Sequence, residues 1–201
     1  MESITKFEDT LSKYFGSNFA IATDSCTHAV ELCLRLLKPE SLIIPTETYI
    51  SIPMTAMKLG IPFTWREDSG WYEWYRLGHT EIIDAATFWR PKGYILGSYM
   101  CLSFQHKKHL SLGRGGAILT DNEESAEILK KMVYDGRLRD TPWAEQNIDM
   151  LGYHYYMTPE TAELGLSKFE LAMSTSPRIW SYRDYPNLKT MRIFNDAIKP
   201  Q

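Results

Sequence analysis

The strongest constraint on the fold is a regular alternation of short apolar runs with longer amphipathic stretches over the first two thirds of the chain. Residues 4–15 carry apolar positions at helical spacing, and residues 19–23 form a short apolar strand. Asp24 or Ser25 is placed to cap a second helix with a stripe of Val30, Cys33, Leu34 and Leu37. Residues 42–45 read as a buried strand. A helix over about 49–59, stopped by Gly60, then precedes a strand near 61–66. The aromatic, glycine-flanked stretch 68–78 predicts a loop, and 81–84 a strand ending in an acid. A strand or hairpin follows over 94–104, then a strand at 117–120. Asp121 with Glu124 three residues later predicts the start of a helix reaching about 134. Thr158-Pro159 opens a last helix with Ala162, Leu166 and Phe169 on one face. Such alternation predicts an α/β fold with a mostly parallel sheet flanked by helices.

A chain of 201 residues can bury one sizeable core, and its 44% hydrophobic and 23% charged content excludes a disordered chain. The net charge of −3 provides no footprint for nucleic acid or an anionic membrane. No apolar run approaches a membrane span, and the N-terminus lacks the basic and apolar regions of a signal peptide. Cys26, Cys33 and Cys101 have no metal-ligand spacing, so reduced thiols, a cytoplasmic location and no metal site are expected.

Ligands of parallel sheets gather at the carboxyl ends of the strands. Ser25 and Thr27, at the junction of the first strand and second helix, serve either as caps or as part of a phosphate cup. Tyr49, after the second strand, is either a packing residue or a ring for stacking. Asp84 is either a cap or ion-pair partner, or a carboxylate that keeps a ring nitrogen protonated. Lys108 follows Ser103 and precedes the turn Gly113-Arg114-Gly115-Gly116; such a lysine is more often a solvated loop residue, and otherwise an imine-forming one. Together, a phosphate cup, an aromatic ring, an acid and a lysine are the parts of a pyridoxal phosphate site.

Over roughly residues 7–175 the chain resembles the DegT/DnrJ/EryC1/StrS sugar aminotransferases, which share the aspartate-aminotransferase fold (fold type I). Residues 22–29, Ala-Thr-Asp-Ser-Cys-Thr-His-Ala, resemble the family's phosphate-binding turn. Pro45-Thr46-Glu47-Thr48-Tyr49 resembles its Pro-x-x-Thr-aromatic stretch, and Ile83-Asp84-Ala85-Ala86 its Glu-Asp-Ala-Ala. Ser103-Phe104-Gln105-His106-Lys107-Lys108 matches Ser-Phe-His-x-x-Lys. The glycine turn at 113–116 resembles Gly-Glu-Gly-Gly, and residues 152–157 resemble Gly-Tyr-Asn-Tyr-Arg-Met. The resemblance implies pyridoxal phosphate on Lys108, with Asp84 at the ring nitrogen and Tyr49 stacking. It also implies phosphate contacts from Ser25, Cys26, Thr27 and Ser103.

The departures are specific. Thr87 stands where the family has a cofactor-contacting glutamine, and Arg114 replaces a glutamate. His154 and Tyr156 replace an asparagine and an arginine that reach the neighbouring subunit's site. The connection from Trp65 to Glu81 is too short for one strand–helix unit of the family. The expectation is therefore a shortened large domain over 1–175, without that unit or the C-terminal small domain. A tail over 176–201 would be helical or pack on a partner. The implied activity is transfer of an amino group from an amino acid such as glutamate to a nucleotide-linked keto sugar. A homodimer would share its active sites, with His154 contacting the partner's cofactor. The alternatives are a pyridoxal phosphate protein with altered chemistry and a non-catalytic dimeric scaffold; intact Lys108, Asp84 and Ser103 argue against the scaffold.

Overall fold

A computed structural model describes residues 1–67 and 70–195. The helices are α1 (Glu2–Phe15), α2 (Cys26–Leu37), α3 (Ser51–Lys58), α4 (Glu123–Val133), α5 (Pro159–Ser174) and the short α6 (Arg192–Asn195). The strands are β1 (Phe19–Thr23), β2 (Leu42–Pro45), β3 (Phe63–Arg66), β4 (Tyr75–Arg76), β5 (Ile82–Asp84), β6 (Tyr99–Ser103) and β7 (Gly116–Thr120). They form a central sheet ordered β1-β7-β6-β5-β4 and a separate β2-β3 pair.

Period-two alternation explains how the sheet is buried on both faces. Met100, Leu102, Ala117 and Leu119 join one apolar layer with α1 and α5. Cys101 and Ile118, the intervening residues, join a second layer with Val30, Leu34 and Leu129 of α2 and α4. Helix α1 turns Ile4, Phe7, Leu11 and Phe15 inward at helical spacing. Its close approach to α5 requires Gly165, where a Cβ would meet the Phe7 ring at 2.6 Å. A buried carboxylate, Glu8, accepts the Ala22 N–H at 2.7 Å and a fork from Arg139 at 2.7 and 2.9 Å, tying α1 to β1 and a distant loop.

The α/β class holds, but the mostly parallel sheet does not. In the central sheet only β5 and β6 pair in parallel, whereas β1–β7, β6–β7 and β4–β5 are antiparallel. The loop between β6 and β7 contains no crossover helix. Its backbone bonds, Phe104 N–H to Gly115 O (2.9 Å) and His106 N–H to Gly113 O (3.2 Å), turn the chain straight back. The short passage from β3 to β5 leaves room for a two-residue strand, β4, which pairs with β5 in the place where a longer unit would bridge to β2–β3. Strands β1, β5 and β6 nonetheless point the same way, so Thr23, Asp84 and Ser103 end at one edge.

Two local expectations change in detail. Asn122, not Asp121, caps α4 by accepting the Ser125 N–H at 2.8 Å, because Asp121 is engaged by the Gly97 N–H at 3.0 Å. The stretch read as a loop contains β4. Of the tail, residues 196–201 lie outside the described residues. The rest folds back: Tyr182 N–H bonds Trp71 O (3.1 Å), Leu188 N–H bonds Thr46 O (2.8 Å), and Phe194 packs on Trp65.

Candidate active site

A cavity of about 410 Å³ opens where β1, β5 and β6 end. The sheet register sets its floor. Thr23 and Ser103 both lie opposite Gly116, while Asp84 lies opposite Cys101. Gly116 permits this convergence, because a Cβ there would meet Cys26 N at 2.4 Å and Ser25 C at 2.5 Å. The start of α2 is thereby pressed against the sheet edge.

Ser25 is the N-cap of α2; its hydroxyl accepts the His28 N–H at 3.2 Å and donates to Asp24 Oδ1 at 3.1 Å. Ser25, Cys26 and Thr27 all line the cavity. A helix start presents N–H groups without intrahelical acceptors and a partial positive charge, which is the physical basis of an anion cup. Arg114 reaches over this turn to Asp24, with Nη2 2.8 Å from Oδ2.

Asp84 is only 6% exposed. Its Oδ2 accepts the Tyr75 hydroxyl at 2.6 Å and its Oδ1 the Ala86 N–H at 3.0 Å. Burial raises its pKa, and those two hydrogen bonds and the Lys108 charge only partly offset the rise. Tyr75 in turn is pushed well above its ordinary value by burial and by the neighbouring carboxylate, so it remains a donor. Thr48 bonds the same tyrosine hydroxyl. Among the described residues no basic side chain pairs with Asp84.

Lys108 lies in the β6–β7 loop, its N–H bonded to Gln105 O at 2.8 Å, and its Nζ sits 5.1 Å from the centre of the Trp180 ring. Burial lowers the pKa of this amine. The Asp84 and Cys26 fields act against that shift, and Lys107 adds to it. Lys107 is exposed, whereas Lys108 is half-buried, and this difference separates two lysines that the sequence places side by side. Burial also raises the Cys26 thiol well above its ordinary range, with Asp84 contributing.

Of the other candidates, Tyr49 (56% exposed), Thr87 and Ser103 line the cavity. Thr87 donates its hydroxyl to Glu73 O at 2.7 Å, bracing a residue whose φ of 61° lies in the left-handed region and whose carboxylate pairs with Arg90. His154 is the one candidate outside the cavity. It is on the surface of its own chain with Nδ1 3.0 Å from Asp135 Oδ2. Its neighbours turn inward instead: Tyr156 packs on Tyr134, and Tyr155 stacks on His28 at 3.6 Å.

Sequence reasoning missed Tyr75, Thr48, Trp180 and Tyr185, all on the cavity wall. The Tyr75 signal was faint: an aromatic in a presumed loop whose strand pairing opposite Asp84 requires the fold. Trp180 and Tyr185 arrive from the tail, with Trp180 O accepting the Glu73 N–H at 2.8 Å.

A model of the DegT/DnrJ/EryC1/StrS aminotransferase family matches residues 2–63 and 92–179. The chain belongs to that family. The match skips the shortened β3–β5 passage. Over 83% of this chain there is 26% identity to the uncharacterized protein MJ1066 of Methanocaldococcus jannaschii, of which 56% is covered. Among solved structures, AtS13 from Actinomadura melliaura superposes with a TM-score of 0.73 at 19% identity, covering 87% of this chain and 61% of that one. The PLP form of the putative sugar aminotransferase Spr1654 from Streptococcus pneumoniae gives 0.70 at 19% identity, covering 86% and 60%. The chain thus spans less than two thirds of these relatives, and the structural likeness establishes the fold. Among the described residues no helix is long and apolar enough to cross a membrane.

Proposed function

We propose that the chain is a pyridoxal phosphate-dependent aminotransferase that moves an amino group from an amino acid to a nucleotide-linked keto sugar. The observation carrying this reading is the meeting, in one cavity, of a half-buried Lys108, a buried Asp84 without an ion pair, and the capped start of α2.

These residues fit the cofactor chemically. A buried carboxylate with a raised pKa and no cationic partner is suited to accept the N–H of a protonated ring nitrogen. The α2 start with Ser25, Thr27 and nearby Ser103 suits a phosphate, and Tyr49 offers a ring face. When bound, pyridoxal phosphate supplies an aldehyde that condenses with amines and a ring that takes up electrons from the substrate's α-carbon. The protein's own tasks are then distinct. Asp84, oriented by Tyr75 and Ala86, holds positive charge at the ring nitrogen. Lys108, its pKa lowered by burial, has a neutral amine available at less cost than a solvated lysine. It would take the proton from the donor α-carbon at Nζ and return it on the far side of the reaction.

A homodimer belongs to the same reading. His154, exposed and outside the cavity of its own chain, would reach the cofactor only across such an interface. The deciding experiment is the absorbance spectrum before and after borohydride, followed by peptide mapping. The expected result is a pyridoxyl group on Lys108. A label on Lys107, or none after incubation with pyridoxal phosphate, overturns the reading.

A further inference from the structure

A second cavity, of about 250 Å³, shares Ser103, Lys108 and Trp180 with the first and extends to Trp89, His109 and Arg178. Its charge is one-sided. Lys107, Lys108 and Arg178 line it, and no carboxylate does so among the described residues. The exposed Lys107 and the half-buried Lys108 are adjacent and have no ion-pair partner among the described residues, and Arg178 adds a third basic group to the same wall. Such a field is relieved by an anion.

Arg178 is held in place for that task. Its guanidinium lies 4.1 Å from the centre of the Trp180 ring and pairs with Asp184. Asp184 is itself fixed by the Ser181 N–H at 2.9 Å. Asp184 engages one terminal nitrogen, and a guanidinium has five N–H donors, so donors remain for a ligand. His109 completes the wall. Its Nε2–H donates to Ala172 O at 2.7 Å, which sets the ring beside Trp89.

We propose that this cavity is the subsite for a substrate's compact oxyanion, gripped by Lys107 and Arg178 while the reacting carbon lies at Lys108. The inference rests on reading the first cavity as the transaminating centre, since both cavities meet at Lys108. Two sources share the chemistry: the carboxylate of an amino-acid donor and the phosphate of a sugar nucleotide. In either case the chain's own tail supplies the anion-binding arginine.

Calorimetric titration of the full chain tests this, with and without pyridoxal phosphate, using glutarate as the carboxylate probe and uridine monophosphate as the phosphate probe. One probe should bind saturably and weaken with salt. Lys107→Ala and Arg178→Ala should each weaken it about tenfold, as expected for loss of a charge-assisted hydrogen bond. Arg178→Lys should recover part of the loss. Glutarate binding identifies the carboxylate source, and uridine monophosphate binding the phosphate source. No saturable binding of either probe overturns the proposal. So does binding that is indifferent to both substitutions in variants with wild-type circular dichroism. Failure to form the pyridoxal phosphate absorbance band overturns the transaminase reading and with it the placing of a reacting carbon at Lys108, whereas Arg178-dependent binding to the cofactor-free chain reads the anion site independently.

Discussion

The floor and the roof of the first cavity are built by different physics. The floor, Asp84 and Ser103, sits at the ends of strands buried on both faces and locked by ladder register. The roof, Trp180, Asp184 and Tyr185, is a tail segment on the surface. It is held by two backbone bonds to the 71–73 stretch, a capping box between Ser181 and Asp184, and aromatic contacts such as Trp71 with Tyr185. A register-locked floor positions reacting groups closely and tolerates little change. A roof held by turn chemistry and ring packing can be altered while the sheet stays intact. On the proposed reading, chemistry belongs to the floor and its adjoining loop, and access and substrate grip to the roof.

The largest effect that could break this contrast is expected at Lys108. Lys108→Ala should lower transamination by about 10⁴-fold or more, because amine and proton carrier are lost together. Substantial activity in a steady-state assay of this variant would end the assignment.

Asp84→Asn should follow, with kcat reduced about 10²- to 10³-fold while the cofactor still binds, as expected for removal of one preorganised electrostatic contact. The same residue makes a pH prediction for the cofactor-free chain. Burial raises the Asp84 pKa above its unfolded value, so its contribution to stability is fully present below the unfolded value, about 4. That contribution is lost as pH climbs through the folded value. Melting temperatures across pH should show this decline in the wild type and lack it in Asp84→Asn; parallel profiles would remove the buried carboxylate from the account.

A backbone test of the floor comes next. Gly116→Ala should destabilise the fold by about 1–3 kcal/mol, the usual range for overpacking, because its Cβ would collide with Cys26 N and Ser25 C. Denaturant midpoints measure this, and an unchanged midpoint would contradict the close approach of α2 to β7.

The smallest effect is expected in the roof. Trp180→Ala should raise KM about tenfold, leave kcat within a few-fold and barely shift the melting temperature, as for a contact made equally in ground and transition states. If it unfolds the chain as readily as Gly116→Ala, floor and roof are not separable.

Legibility in the sequence follows the same divide. The Ser25 cap, the acid ending β5 and the lysine after Ser103 were readable because each depends on residues within a few positions. The choice of Lys108 over Lys107 came from motif spacing, and their different burial now offers a physical reason for it. The direction of β7 was not readable: a short apolar run looks the same whether it pairs parallel or antiparallel, and only the hairpin bonds of the 104–115 loop decide. The Asp121–Glu124 spacing points to a helix start one residue early, because the engagement of Asp121 with the Gly97 N–H lies 24 residues away in sequence. Tyr75 lies in the stretch that the sequence predicts as a loop, and its partner Asp84 is joined to it only through strand register.

By itself the sequence determined the order of the elements, the faces they bury and the chemical groups at the strand ends. Helical and strand periods, caps and turn glycines act over a few residues, and the family motifs lie within continuous stretches. Tertiary structure alone decided the mixed strand directions and the separation of β2–β3 from the main sheet. It also decided the Tyr75–Asp84 hydrogen bond and the return of the tail, which brings Trp180 to Lys108 and Arg178 to the second cavity. These depend on ladder pairing and burial between distant segments. No local pattern encodes them, because the free energy of each contact exists only once the rest of the sheet has formed.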